Sequence, residues 1–232
     1  LSEYVPSHPY GREVTLNHLL NHTSGVPNPM PLRWLHTREQ HPAFDEPLAL
    51  ERVLRAHPRR DFEPGARYGY SNLAYWLLGA VIARASGQPY GDFLQREIAE
   101  RVGALPAELA WDVPDLRRHA RGHLARSSWL GFAMPHLTAR DIWAPPAERW
   151  ARFAHLHMNG PAYGGAFASA RGYAKFLQDL LRDDSRVLSR ESKRAFFAPQ
   201  VDRKGRLLPT TLGWRPGSLG GFAYLSKPGG GP

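Results

Sequence analysis

No cysteine occurs among the 232 residues, which excludes disulfides and thiolate-held metals without selecting a compartment. Lysine is scarce. Lys175, Lys193, Lys204 and Lys227 stand against a Lys and Arg total of 30, so arginine carries almost all of the positive charge. No apolar run is long enough to cross a membrane; the longest, around Leu73 to Ala85, is too short and too interrupted. No signal peptide and no internal repeat is evident. A Gly-x-Ser-x-Gly elbow is also missing, which leaves a Ser-His-Asp triad without support.

What is present fits a globular protein. With 42% hydrophobic and 22% charged residues, the chain can bury a sizeable core in one domain or two lobes. Its 22 glycines and 21 prolines suggest many turns. The net charge of +9 and pI near 10.2 raise the question of nucleic acid. The densest basic stretch, Arg117 to Arg126, has no interleaved aromatic residues and matches no recognition motif, so no nucleic-acid partner is expected. A solvated or substrate-facing surface accounts for the charge.

Histidine patterns give no metal site. His18 and His22 have the spacing of a zinc-peptidase helix, but Leu19 follows His18 where a glutamate base belongs. His155 and His157 alternate as on a strand, with no carboxylate close by in sequence. His22 is expected to help fix the turn at Thr23-Ser24-Gly25. The glycines Gly229, Gly230 and Gly231 precede no helix, so a phosphate loop is unsupported, and no cofactor is expected.

Periodicity places a short helix from Thr15 to Asn21, a helix from Glu46 to Ala56, and a buried one from Ser71 to Ala85 that Gly87 ends. Tyr90 to Val102 reads as one helix with Phe93, Leu94, Ile98 and Val102 near one face. Ala170 to Leu181 and Ser189 to Ala198 follow as helices, and the tail as strands, Thr211 to Arg215 and Phe222 to Lys227. The fold class is α+β. Residues 1–160 form a mostly helical lobe, and residues 161–232 open a lobe of helices and antiparallel sheet.

The stretch Phe62 to Asn72 carries the most chemistry. Pro64 and Gly65 set a turn, Ser71 or Asn72 caps the following helix, and Tyr70 and Asn72 sit two apart at its mouth. A phenol can move a proton, and an amide can both donate and accept. Taken alone the stretch is also a plain turn and cap. Upstream lies Asn21-His22-Thr23-Ser24-Gly25-Val26-Pro27, and at the end Tyr224-Leu225-Ser226-Lys227-Pro228-Gly229.

In this order the segments resemble the serine β-lactamase and penicillin-binding-protein superfamily, most of all its class C-like branch of β-lactamases, D-amino-acid-peptide hydrolases and esterases. Tyr70 and Asn72 match its Tyr-x-Asn motif, and Lys227 and Gly229 its Lys-x-Gly motif. Gly164 to Ala170 and Leu212-Gly213-Trp214 are similar as well, so the likeness spans almost the whole chain.

The resemblance implies an α/β lobe with a helical lobe inserted and the site between them. It implies a serine acyl hydrolase acting on a small-molecule or peptide acyl substrate. Tyr70 would then shuttle the proton, and Lys227 would favour the phenolate. Asn72 would hold the substrate amide, Gly229 would let the strand approach it, and the Gly230 N–H would bind the oxyanion. The superfamily's Ser-x-x-Lys is missing, since the residues three before the lysines are Gly172, Arg190, Val201 and Tyr224. The chain therefore reads as an internal fragment whose nucleophile lies upstream, inactive by itself. The alternative is a non-catalytic peptide- or cell-wall-binding relative. Pro228 stands where β-lactamases carry a hydroxyl residue, which favours an esterase or peptidase.

Overall fold

The computed structural model describes residues 1–29, 34–113, 115–145 and 148–229. Helix α1, Leu16–Leu20, begins at a reciprocal cap in which Thr15 Oγ1 accepts from the His18 N–H and the His18 ring accepts from the Thr15 N–H. Helix α2, Glu46–Ala56, is capped by Asp45 and carries Pro47 in its first turn, where no N–H is missed. Helix α3, Asn72–Ser86, starts at Ser71, whose hydroxyl accepts from the Ala74 N–H, and stops at Gly87 in the left-handed region.

The next helix departs from the periodicity. Helix α4 is regular only over Tyr90–Leu94 and then widens into a π-helical turn, Gln95–Glu100. The wide turn rotates the chain, so Ala99 and not Ile98 becomes the fully buried residue ahead of Val102. Helix α5 spans Trp129–Leu137, α6 Ala170–Leu181 and α7 Arg190–Phe197, each started by a serine cap.

Strands are short and pair only in antiparallel twos among the described residues. Strand β1, Leu35–Thr37, pairs with β5, Leu156–Met158. Strand β2, Leu109–Ala110, pairs with β6, Phe167–Ala168, and β3, His123–Ala125, with β4, Trp150–Arg152. Strands β7, Arg215–Leu219, and β8, Phe222–Ser226, form a hairpin through Gly220-Gly221, both at positive φ as a tight two-residue loop requires. The tail strand expected from Thr211 thus begins only at Arg215. Gly213, at φ 93, breaks extension there, and the Thr211 N–H closes a turn onto the Trp214 carbonyl.

Among the described residues two clusters form the core. The larger gathers Val5, Tyr10, Val14 and Leu19 around Leu50 and Leu54 of α2 and Leu73, Trp76 and Leu77 of α3. The smaller joins Ala99, Val102, Ala104 and Leu109, with Phe176 of α6 packed against it. No helix among the described residues is long and apolar enough to cross a membrane.

Candidate active site

Two segments distant in sequence are zipped together at the N-terminus of α3. The Asp61 N–H donates to the Gly25 carbonyl, the Gly65 N–H to Thr23 and the Gly69 N–H to His22, each at 2.8 Å. The Ser71 N–H then donates to His22 Nδ1 at 3.3 Å, which leaves the neutral ring's proton on Nε2. His22 adopts φ 59, a strained left-handed value that these bonds hold in place. The His22 turn is therefore fixed by its contacts with residues 61–71, beyond the local Thr23-Ser24-Gly25 role expected of it. Pro64 and Gly65 occupy the central positions of a type II turn, closed by the Ala66 N–H on the Glu63 carbonyl, with Gly65 at φ 76.

This scaffold presents a tyrosine cluster. The His22 ring packs against Tyr68, Tyr70 and Tyr75, with centroids 5.7, 4.6 and 4.9 Å away. Tyr70 is 48% exposed, and its hydroxyl donates to Asn72 Oδ1 at 2.9 Å. Asn72 is itself anchored, since its N–H donates to Asn28 Oδ1 at 2.9 Å. The Ser71 hydroxyl donates to the Pro27 carbonyl at 2.9 Å. The helix entrance is thus held from both sides.

The far end of the chain closes the site. A cavity of about 350 Å³ is lined by His22, Tyr70, Arg215, Lys227, Pro228 and Gly229, together with Tyr68, Thr210 and Gly213. Tyr70, Lys227 and Gly229 therefore share one cavity, and Asn72 joins it through its bond to Tyr70. Gly230 lies outside the described residues. Gly213 is a close-approach position: a Cβ there would meet the Tyr75 hydroxyl at 2.8 Å and Lys227 Nζ at 3.7 Å.

Electrostatics refine the roles. The Lys227 ammonium sits 5.1 Å from the centre of the Tyr75 ring, a cation–π contact. Although Lys227 is exposed as a whole residue, protein atoms around its ammonium and then Arg215 hold its pKa below the ordinary lysine value. Burial and Tyr68 raise the Tyr70 pKa, and Arg215 opposes them. Arg215 is thus a cation whose charge acts on Tyr70, while the Lys227 ammonium lies over Tyr75. Burial, followed by the Lys227 charge, drives His22 down to about 4, so it is a neutral wall of the site.

Sequence reasoning passed over Arg215, Tyr68 and Tyr75. Arg215 follows Leu212-Gly213-Trp214, a segment that was noticeable, but its entry into the cavity depends on the β7–β8 pairing. Tyr75 lies on the first turn of α3, and its hydroxyl donates to the Leu20 carbonyl at 3.0 Å. His157 also differs from its sequence surroundings: Asp112 Oδ1 lies 3.6 Å from its Nε2.

Comparison with known proteins bears on this geometry. Penicillin-binding protein 4* of Bacillus subtilis (strain 168) is 26% identical over 215 residues, covering 92% of this chain and 45% of that protein. The D-alanyl-D-alanine-carboxypeptidase/endopeptidase AmpH of Escherichia coli (strain K12) is 33% identical over 94 residues, 40% of this chain and 23% of that protein. The chain spans less than half the length of the curated relatives it matches. Among solved structures, the D-amino acid amidase from Ochrobactrum anthropi SV3 complexed with L-phenylalanine amide superposes with a TM-score of 0.65. It is 20% identical, and the match covers 97% of this chain and 61% of that one, a likeness of fold. The fold is the mixed helical and antiparallel β-lactamase/transpeptidase type. The family model described as Beta-lactamase matches residues 1–231, and the chain belongs to the β-lactamase family.

Proposed function

We propose that this chain supplies the tyrosine–lysine face of a serine acyl-transfer site, the serine and its lysine coming from residues outside these 232. One observation carries the reading: Tyr70, Lys227 and Gly229 line one cavity while the Tyr70 hydroxyl engages Asn72. The length of its relatives, of which this chain spans less than half, supports it.

Acyl transfer from a serine requires that the hydroxyl proton leave and return to the departing group. Tyr70 has the exposure and the partner for that exchange. As it stands its phenol is neutral and donates to Asn72, so a second ammonium from the Ser-x-x-Lys lysine completes its activation. Asn72 accepts from Tyr70 through Oδ1 and keeps its NH2 group for the carbonyl of a substrate amide. Gly229, without a side chain, allows the strand end to lie against the acyl group.

The charge of the cavity narrows the substrate class. Arg215 lines it beside Lys227 and has no ion-pair partner among the described residues. Two cations next to Pro228 favour an acyl substrate that carries a carboxylate, held by charge where Pro228 offers neither hydroxyl nor N–H. A peptidase or esterase acting on a carboxylate-bearing peptide or ester fits this set. The missing Ser-x-x-Lys supports a second reading, a binder of such peptides without turnover.

The test is covalent labelling by a β-lactam or an activated ester, followed by intact-mass measurement. The 232-residue chain should gain no acyl group, and a longer chain carrying Ser-x-x-Lys should gain one. Acylation of the 232-residue chain would place the nucleophile within it and overturn the proposal. A longer chain that binds the peptide and is never acylated would select the binder.

A further inference from the structure

Apart from the Tyr70–Lys227 site lies a larger cavity, about 430 Å³, which shares no lining residue with it. It is framed by the starts of α2 and α4, the β1–β5 pair and the segment after β2. Its size is within the range of small-molecule pockets. Aromatic rings wall it. Trp111 meets Tyr90 edge to face at 6.4 Å, and Phe44 stacks on His36 at 3.9 Å. Gly91 permits this wall, because a Cβ there would press on the Trp111 Cβ at 3.2 Å.

In a chain of charge +9 this cavity is lined by acids. Asp112 is committed to Arg38 at 3.1 Å. The Asp92 carboxylate has no hydrogen-bond or ion-pair partner among the described residues. Among the described residues Glu46 accepts only from the Trp76 indole, at 3.2 Å, and burial raises its pKa to about 7 against that bond. Tyr90 also lines the cavity, and burial raises its pKa. Burial keeps His36 and His157 below the usual imidazole range, so they bring no positive charge at neutral pH.

Gln95 adds a donor. It opens the π-helical turn, lines the cavity, and its Nε2 is buried without a hydrogen-bond partner. Such turns recur at functional sites, and an orphaned amide N–H needs an acceptor.

We propose that this cavity is a second ligand site for a small organic ammonium with a carbonyl close to its nitrogen, as in an amino-acid amide or a peptide amino terminus. The ammonium lies against the Trp111 and Tyr90 rings, beside Asp92 and Glu46. The carbonyl oxygen accepts from Gln95 Nε2. This assignment does not rest on the acyl-transfer reading.

The probe is phenylalaninamide, titrated calorimetrically into the whole chain at pH 7. Saturable binding is expected, about tenfold weaker for N-acetyl-phenylalaninamide, which has lost the charge, and weaker for phenethylamine, which has lost the carbonyl. Asp92 is exposed and unpartnered, so Asp92→Asn preserves the fold and should weaken binding about fivefold. Trp111→Ala, checked by circular dichroism, should weaken it about tenfold, and Lys227→Ala should leave it unchanged. Equal binding of the N-acetyl compound, or no saturation, overturns the proposal. Loss in Lys227→Ala with Asp92→Asn unaffected places the ligand in the other cavity and also overturns it.

Discussion

The Tyr70 hydroxyl and Asn72 Oδ1 are joined at 2.9 Å, which couples the proposed acid–base group to the first residue of α3. The bond lies at the surface, so its loss costs the fold little, about 1 kcal/mol or less. Its chemical loss is larger. In a chain that carries the nucleophile, Tyr70→Phe should lower kcat by about 10² or more, the scale of a missing acid–base group. Steady-state ester hydrolysis and urea denaturation on the same variant separate the two effects. A variant with wild-type kcat would remove Tyr70 from the chemistry.

The folded chain should lose stability in mild acid. Burial, then Lys227, lowers His22 to about 4; burial, then His41, lowers His157 to about 4. Unfolded histidine titrates near 6.5, so between these values the unfolded chain binds protons that the folded chain refuses. The stability is complete above pH 6.5 and declines as pH falls towards 4, by on the order of 3 kcal/mol for each group. Urea midpoints at pH 7, 5.5 and 4.5 should fall in that order. His22→Asn, which tolerates left-handed backbone and keeps an acceptor for Ser71, should flatten the slope.

Two glycines with similar φ should behave differently when changed to alanine. Gly25 has φ 74, and a Cβ there would collide with the Phe62 carbonyl oxygen. Gly87 has φ 69 with nothing within 4 Å. Gly87→Ala should cost about 1–2 kcal/mol, the left-handed penalty alone. Gly25→Ala should cost more than that, because the clash sits in the bonds that position Tyr70. Thermal denaturation of the two variants decides it, and equal costs would mean that the segment around Phe62 yields freely.

Substrate charge is tested at Arg215 and Pro228. Arg215→Ala should reduce kcat/KM for a carboxylate-bearing ester about tenfold or more and leave its neutral methyl ester nearly unchanged. Pro228→Thr restores a hydroxyl and an N–H and should improve the carboxylate-bearing ester alone. An Arg215→Ala effect shared by both esters would show a structural role.

Much of the helical frame was legible along the chain, because helix caps and stops are local. Thr15, Asp45, Ser71, Ser169 and Ser189 each satisfy the first free N–H groups of the helix they precede, and Gly87 ends one by taking a left-handed turn. The Tyr70–Asn72 spacing was legible for the same reason: both lie within one turn of a single cap. Tertiary structure decided the rest. The pairing of the His22 turn with residues 61–71 needs hydrogen bonds between segments about forty residues apart, which no local pattern encodes. Arg215 reaches the cavity because β7 pairs with β8 and Gly213 bends the chain before it. The π-helical turn at Gln95 leaves the apolar spacing almost unmarked, since Ala99 and Ile98 are both apolar and only packing selects between them. Charge followed the same division. Formal charge is additive along the sequence, but the neutral state of His22 and the cations beside Tyr70 depend on burial and distance, which only the folded chain supplies.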